Sequence, residues 1–482
     1  ENRFGQHVKR HAAEIEVAVE GLKWPLCGRP LPLPTVSNGQ LNGKKGSKQD
    51  ELVSYVQNEN LNAERCGKVL SNGLSFIPCE EILNQRQGDR GLQNKPKPYE
   101  ALIDLKSLLM EAAAASNDIR KAHRILQEIR KHSSPYGSGL QRLTHFFAEG
   151  LVARLSGTGG RLYTAFTNNA PSAAKMLKAH HLFVEVCPFV KLSHYFANKA
   201  ILEATKGASK IHIIDYGILY GLQWPCLISA LAERKGGPPT LLRLTGIDFP
   251  QPGVKAAERV EMTGRRLTEY AKTYGVPFEY HAIASKWENI QPSALRIKEG
   301  EVLIVNSIYR LRHLLDETVL ASNPRKTVLH RIRSLNPKIF VQGVKNGDFN
   351  APFFMSRFKE ALRYFECEFN MMDTTIGIEN QERMMMEKEV LGRDILNVIA
   401  CEGPERIERP ETYRQWQNRT VRAGFEQVDL DQNMLQEAQV IVKRIYDKEF
   451  SVANDGDWML LGWKGQPLYA LSVWRPMISN RH

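Results

Sequence analysis

The sequence predicts an α/β fold: a mostly parallel, Rossmann-type sheet of the methyltransferase-like class, preceded by a helical cap. Three observations lead to this prediction. Strand-like and helical patterns alternate after Lys210, which is typical of a doubly wound parallel sheet. Two strand-like runs near the carboxyl end flank Lys464-Gly-Gln-Pro467 and indicate an antiparallel hairpin. Residues 99–207 show helical patterns only.

The composition is that of a globular protein without a membrane span. Hydrophobic residues make up 42% of the 482 positions, which is enough for a sizeable core. No apolar run approaches the roughly 20 residues that a transmembrane helix needs. The seven cysteines are scattered without a CxxC pair, so we expect free thiols in a reducing compartment and no metal site. The chain begins at Glu1 rather than at methionine, and we therefore expect a fragment or a processed chain.

Residues 1–98 differ in texture from the rest of the chain. They are polar and are interrupted by Gly and Pro, as in Ser37–Lys48 and Lys95–Pro98. Such sequence buries too little apolar surface to offset the entropy of ordering the chain. We therefore predict a variable, largely disordered segment, with short helical patterns only at His11–Val19 and Asp50–Val56.

The next hundred residues, 99–207, predict the cap. Asp104–Ala115 consists of strong helix formers, and Ser116-Asn-Asp118 ends this helix and caps the next one. In that next helix, Ile119–His132, apolar residues recur every three or four positions, as expected for a helix with one buried face. Further helices are predicted at Leu140–Ser156, Ala173–Cys187 and Leu192–Lys206.

Residues 208–482 predict the α/β core with helical insertions, because short β-branched runs are typical of buried parallel strands. The predicted parallel strands are Ile211–Ile214, Leu241–Ile247, Phe278–His281, Val302–Asn306 and Ile339–Val344. The predicted helices are Leu222–Arg234, Val254–Tyr274 and Asp316–Leu335, followed by those at 353–372, 379–397 and 411–422. The terminal strand-like runs are Phe425–Leu430, Glu449–Ala453, Trp458–Trp463 and Leu468–Trp474.

The turn after the first strand is the candidate ligand site. Asp215, Gly217, Gly221 and Asp248 match the outline of a cofactor turn, in which an acid and glycines follow one strand and a second acid ends the next. However, Leu219 stands where such a turn needs a glycine, and a branched side chain would fill the space of the ligand. We therefore predict no cofactor and no catalytic residues. An S-adenosylmethionine-dependent methyltransferase, or a small-molecule-binding protein using the Asp215–Gly221 turn, remains the alternative.

Several ordered motifs resemble those of the plant GRAS (scarecrow-like) proteins. The run Ile211-His-Ile-Ile-Asp215, followed by Gly221-Leu-Gln-Trp-Pro225, resembles the VHIID motif. Leucine-rich helices precede it, and Leu244-Thr-Gly-Ile-Asp-Phe-Pro250 follows it. The carboxyl end, Trp458–Trp474, is similar to the SAW motif. A PFYRE-like segment lies between, and the departures from the family pattern are Tyr364-Phe365, Asp394 in place of Glu and Val473 in place of Ala.

This resemblance covers residues 99–482 and implies a function that composition alone does not indicate. It implies a non-enzymatic transcriptional regulator in the nucleus. Its expected partners are other transcription factors or coregulators, with direct contact to double-stranded DNA and a homodimer as further expectations. The net charge of +12 also favours an acidic partner such as nucleic acid, although an excess spread over a long chain is often only a solvated surface.

The candidate partner-binding residues are Leu105, Leu108 and Leu109. They form an LxxLL pattern, which amphipathic helices use to dock into grooves of coregulators. The same spacing arises routinely in core helices, and we favour core burial here.

The candidate DNA-contact residues lie on two predicted helices. Arg414 and Arg422 fall near one face of the helix at 411–422, and Lys255 and Arg259 lie on the helix that begins near residue 254. Such cations can contact phosphates. Interleaved Glu residues make a solvated surface at least as probable for both helices.

Overall fold

The computed structural model describes residues 104–169, 171–253 and 255–478. The predicted disordered segment 1–98, with its short helical patterns at residues 11–19 and 50–56, lies outside the described residues. Within the described part of the chain, no helix is both long and apolar enough to cross a bilayer.

Within the described residues, six helices form the amino-terminal layer, and polar caps begin several of them. Asp104 accepts hydrogen bonds from the first turn of the first helix, Asp118 caps the second, and Ser138 and Gln141 form a capping box on the third. The helices are α1 (Leu105–Ala114), α2 (Ile119–His132), α3 (Gly139–Leu155), α4 (Gly159–Asn168), α5 (Ala173–Val186) and α6 (Phe189–Ala204).

Helix α4 was not predicted, and its sequence explains why. It begins with Gly159-Gly160, and glycine is a poor helix former. A Cβ at Gly159 would lie 2.3 Å from the carbonyl oxygen of Ala400. The glycine therefore lets the start of α4 lie against the backbone of Ala400. Helix propensity, which depends on neighbouring residues only, does not indicate such a contact.

The described strands form one nine-stranded sheet in the order β3-β2-β1-β4-β5-β9-β8-β7, with β6 paired to β9. The first five are parallel to one another, and β9 runs antiparallel to β5. This order confirms the predicted fold class. The strands are β1 (Lys210–Tyr216), β2 (Leu241–Asp248), β3 (Phe278–Ala284), β4 (Val302–Ile308), β5 (Ile339–Lys345), β6 (Phe425–Gln427), β7 (Phe450–Asp455), β8 (Trp458–Trp463) and β9 (Gln466–Pro476).

The remaining helices cover the sheet and supply its insertions. Residues Glu387–Gly392, which directly follow the helix Gln381–Met386, form a π-helical turn. The helices are α7 (Trp224–Glu233), α8 (Glu258–Thr273), α9 (Pro324–Ser334), α10 (Phe354–Thr375), α11 (Gln381–Met386), α12 (Arg393–Ala400), α13 (Tyr413–Arg422) and α14 (Gln432–Ile445).

Two helix predictions need correction. The helix predicted over 316–335 begins only at Pro324, because Asn323 takes a left-handed φ of 42° and caps it and proline is favoured at a first helical position. Helix α14 was missed between two strand-like runs. Its signal was present in Asp431, which caps it, and in buried residues at helical spacing such as Leu435 and Ala438.

The core lies on both faces of the sheet, and β1 shows how one strand serves both. Ile211 and Ile213 join the cluster on the face that carries α6 and α7. Ile214 and Tyr216 join the cluster that includes residues of α9 and α13. This alternation is the period-2 pattern of a strand buried on both sides. Four tryptophans of the terminal sheet and of α13 are buried as well: Trp416, Trp458, Trp463 and Trp474.

Candidate functional site at the turn after strand β1

The turn that follows β1 is held closed by its own backbone. Gly217, Leu219 and Gly221 all take left-handed φ values, of 105°, 49° and 62°. The N–H groups of Gly217 and Ile218 donate to the carbonyl oxygen of Ile247 at the end of β2, over 2.9 and 3.1 Å. In nucleotide-binding turns, backbone N–H groups face the phosphates of the ligand. Here the N–H groups of Gly217 and Ile218 are bound to the protein's own backbone instead.

Asp215 is buried and serves as the centre of a polar network. Its carboxylate accepts hydrogen bonds from Trp224 Nε1 at 2.9 Å and from Asn306 Nδ2 at 3.0 Å. Asn306 also donates to Gln223 Oε1, and Gln223 donates to Asn198 of α6 at 3.1 Å. The acid therefore links strand β1 to strand β4, to helix α7 and, through Gln223, to the amino-terminal layer.

Asp248, the acid at the end of β2, is also paired internally. Arg259 donates to its Oδ2 through Nε at 3.0 Å and through Nη2 at 2.7 Å. The N–H of Phe249 donates to its Oδ1, and Arg310 Nη2 lies 3.7 Å from the same oxygen. In dinucleotide-binding folds this position hydrogen-bonds the ribose. In this protein the guanidinium of Arg259 takes the place of the ribose and donates to the acid.

Side chains fill the space beside the turn. A Cβ at Gly217 would lie 2.3 Å from Cγ of Arg310, so the arginine packs directly on the glycine backbone. Ile218 is buried, and its Cδ1 lies close to Gly246 of β2. The side chain of Leu219 is only half-buried, and the backbone of this residue takes the left-handed φ of 49° that a leucine rarely adopts. The bulk beside the turn therefore comes from Ile218 and Arg310, rather than from Leu219 as the sequence suggested.

The sequence argument singled out the four cleft residues but missed their partners. Asn306 follows from the register, since Asp215 of β1 pairs directly with Asn306 of β4. Arg310 lies two residues beyond the end of β4. A polar residue at the carboxyl end of a strand that neighbours β1 was a usable signal. Among the described residues, no group of three or more His, Cys, Asp or Glu side chains is placed to hold a metal ion.

The titration of Asp215 gives a testable prediction. Burial raises the pKa of this carboxyl group from 3.8 to about 7, against the opposing effect of its hydrogen bonds. The folded protein then holds a proton that the unfolded chain has lost, so the stability from this group is lost as pH rises from about 4 to about 7. We expect the free energy of unfolding to fall less steeply in Asp215→Asn than in the wild type, by up to about 1.4 kcal/mol per pH unit between pH 5 and 6.5.

Urea unfolding of both proteins across this pH range measures the difference. The substitution also changes the hydrogen bonding at a site that faces two donors, so the slope, and not the absolute stability, is informative. Other titrating groups contribute equally to both slopes and cancel. Parallel slopes for the two proteins would contradict the assignment.

The LxxLL leucines lie mainly inside the protein. Leu105 is 6% exposed and Leu109 is fully buried, whereas Leu108 is half-buried. Helix α1 packs these leucines toward α2 and α3. Of the three candidate partner-binding residues, a partner could reach only Leu108 without unfolding the helix.

The structure places the DNA-contact candidates in different surroundings. Arg259 is committed to Asp248, and Arg414 forms an ion pair with Asp455 at 2.9 Å. Lys255 is exposed and lies 3.0 Å from Glu258. Arg422 is exposed on the last turn of α13. Three of the four candidates are therefore paired with acidic side chains of the protein.

A family model and two plant relatives match most of this chain. The sequence model of the GRAS domain family matches residues 105–475. Scarecrow-like protein 14 of Arabidopsis thaliana is 50% identical over 379 residues, which are 78% of this chain and 49% of that protein. Scarecrow-like protein 9 of the same plant is 49% identical over 377 residues, 78% of this chain and 52% of its own length. The chain thus spans about half the length of these relatives.

A solved structure shows the same fold. The crystal structure of SCL7 from Oryza sativa superposes with a TM-score of 0.68 at 30% identity. It covers 78% of this chain and all of the SCL7 chain. The helical layer and the sheet described above are therefore features that this chain shares with a crystallographically determined relative.

Proposed function

This chain belongs to the GRAS domain family, and we propose that it acts as a transcriptional regulator in the nucleus rather than as an enzyme. The observation that carries the non-enzymatic part is the closed turn after β1. The acids Asp215 and Asp248 are both paired within the protein, and Arg310 packs on Gly217. A methyltransferase needs these positions open to its cofactor.

We propose that the regulator works through other proteins, namely transcription factors or coregulators, and through a second copy of itself. Family membership supports this role. Because Leu105 and Leu109 of the LxxLL pattern are buried, we place the contact on exposed surfaces of the described domain. Residues 99–482 act as the functional unit, with 99–207 as cap and 208–482 as α/β core.

Direct contact with double-stranded DNA is the finer part of the proposal. The net charge of +12 and the exposure of Arg422 and Lys255 favour it. Binding that depends on phosphate contacts should weaken with salt, with a log–log slope of about −0.9 for each phosphate neutralised. A salt titration of the full chain on duplex DNA measures this slope.

The regulatory role itself is tested by tethering. We expect the full chain, fused to an unrelated DNA-binding domain, to change the output of a reporter gene that carries the cognate site. The same chain without the fused domain is the control and should leave that reporter unchanged. A correctly folded nuclear fusion that leaves the output unchanged would count against the proposal. So would methyl transfer from S-adenosylmethionine by the purified chain.

A further inference from the structure

A groove of about 990 Å³ runs along α6 and α7. Its lining extends from Asn198 and Leu222, beside the β1 turn, to Lys338, just before β5 at the other end of the parallel strands. We call it the α6–β9 groove. It is bounded by α6, the outer side of α7, the end of β9 and the segment 428–434 that leads into α14.

The floor of the α6–β9 groove is apolar. Leu430, Met434 and Ile339 are almost completely covered by the rest of the protein. Other apolar side chains of the lining are half-buried, so that they present surface to an occupant: Leu202, Leu222, Ala230, Val428 and Val473. Apolar surface gathered in one concave place gains free energy when a partner covers it.

The rim of the groove is cationic. Seven Lys and Arg side chains line it, against four Asp and Glu. Some of the cations already have partners, since Lys199 lies 2.5 Å from Glu437 and Arg475 lies 2.6 Å from Glu426. Lys235 and Lys338 are exposed, and no ion pair joins either to another described residue. Their charges are available to an anionic occupant.

We propose that the α6–β9 groove docks an acidic amphipathic segment of a partner protein. Apolar side chains of that segment enter the groove, and its carboxylates lie on Lys235 and Lys338. An amphipathic helix offers this combination, with anchors at positions i, i+3, i+4 and i+7 on one face and charges beside them. The inference rests on the proposed role as a protein-binding regulator and assigns that role a surface and a partner chemistry.

Two other occupants fit less well. Duplex DNA would use the rim cations through its phosphates, but it would leave the apolar floor uncovered, because phosphate contacts need no apolar surface. A small molecule could use the floor, and the volume is at the upper end of the range for ligand pockets. However, a compact ligand leaves unused the rim lysines that lie on separate elements, Lys235 after α7 and Lys338 before β5. The available charges of Lys235 and Lys338 on these separate elements favour a peptide.

The test uses the full chain and a labelled synthetic peptide of 16 or so residues, with leucines at i, i+3, i+4 and i+7 and glutamates at the flanking positions. Fluorescence anisotropy reports binding. The variants are Lys235→Glu and Lys338→Glu, both at exposed positions that leave the core intact. Lys359→Glu is the matched control, because Lys359 is an exposed residue of α10 that does not line the groove.

We expect each groove variant to weaken binding about tenfold at low salt and the control to change it less than about twofold. The loss should shrink as salt is added, since exposed charges are screened. A peptide with lysines in place of the glutamates should not bind the wild type. Failure of the acidic peptide to bind, or equal binding by all three variants, would overturn the proposal. Binding of decanoate in the groove without binding of the peptide would overturn it in favour of a small-molecule site.

The reporter experiment separates this inference from the proposed function. Suppose that the tethered wild type changes the reporter, and that both groove variants change it equally and bind the peptide as the wild type does. The proposed docking site is then wrong, whereas the proposed regulatory function is retained. If the tethered wild type has no effect, the proposed function fails on its own terms.

Discussion

Replacing Glu387 with alanine is expected to lower the free energy of unfolding by about 3–5 kcal/mol. Glu387 is buried between two buried arginines, Arg142 of α3 and Arg383 of α11. It lies 2.9 Å from Arg142 Nε and accepts from Arg383 Nη1 at 2.8 Å. Removal of this carboxylate leaves two guanidinium groups in the core. Of the two, only Arg142 keeps another carboxylate among the described residues, that of Asp373 at 2.9 Å.

Urea unfolding of the full chain measures this effect. Glu379→Ala is the matched control, because Glu379 is an exposed acid eight positions earlier, and surface substitutions of this kind change stability by about 0.5 kcal/mol or less. Glu387→Gln should fall between the two, since it keeps the volume and part of the hydrogen bonding. A cost below about 1 kcal/mol for Glu387→Ala would show that the arginines find other partners or water.

The second large effect is expected at Trp224, in the Gln-Trp-Pro run that marks the family. Trp224 is 1% exposed, and its indole N–H donates to Asp215. Trp224→Ala should cost about 3–5 kcal/mol through the cavity it creates. Trp224→Phe keeps most of the packing but leaves one oxygen of a buried carboxylate without its donor, which should cost about 1–3 kcal/mol.

Trp287→Phe provides the matched control. Trp287 is also fully buried, but its indole nitrogen donates to no described residue. The phenylalanine variant there removes packing without removing a hydrogen bond, so it should cost less than Trp224→Phe. Equal losses at the two positions in thermal or urea unfolding would mean that the bond to Asp215 contributes little.

Much of the fold follows from local pattern. The runs that became β1, β2, β4 and β5 are short and rich in Ile, Val and Leu, and such runs predict buried parallel strands wherever helical patterns separate them. Helix boundaries followed from side chains that bind the adjacent backbone, such as Asp104 and Asp118. These signals act over three or four residues, and the sequence displays them directly.

The errors arose where a contact distant in sequence outweighed the local pattern. Helix α4 begins on two glycines because Ala400 lies against Gly159. The helix predicted from residue 316 starts eight residues later, at Pro324, where Asn323 caps it. Asp316 instead accepts a hydrogen bond from Asn350 and approaches the buried guanidinium of Arg325. Buried ion pairs of this kind depend on packing, and periodicity does not indicate them.

The sequence by itself determined the class of the fold, the strand–turn–helix around Asp215 and the family to which these motifs point. Only the tertiary structure decided what the turn can do. Asn306 and Arg310 reach it from about 90 residues away along the chain, and Arg259 closes on Asp248 from α8. The physical reason is that a motif specifies which polar groups a turn carries. The strand register and the packed helices decide whether other side chains of the protein bind those polar groups and so leave none for a ligand.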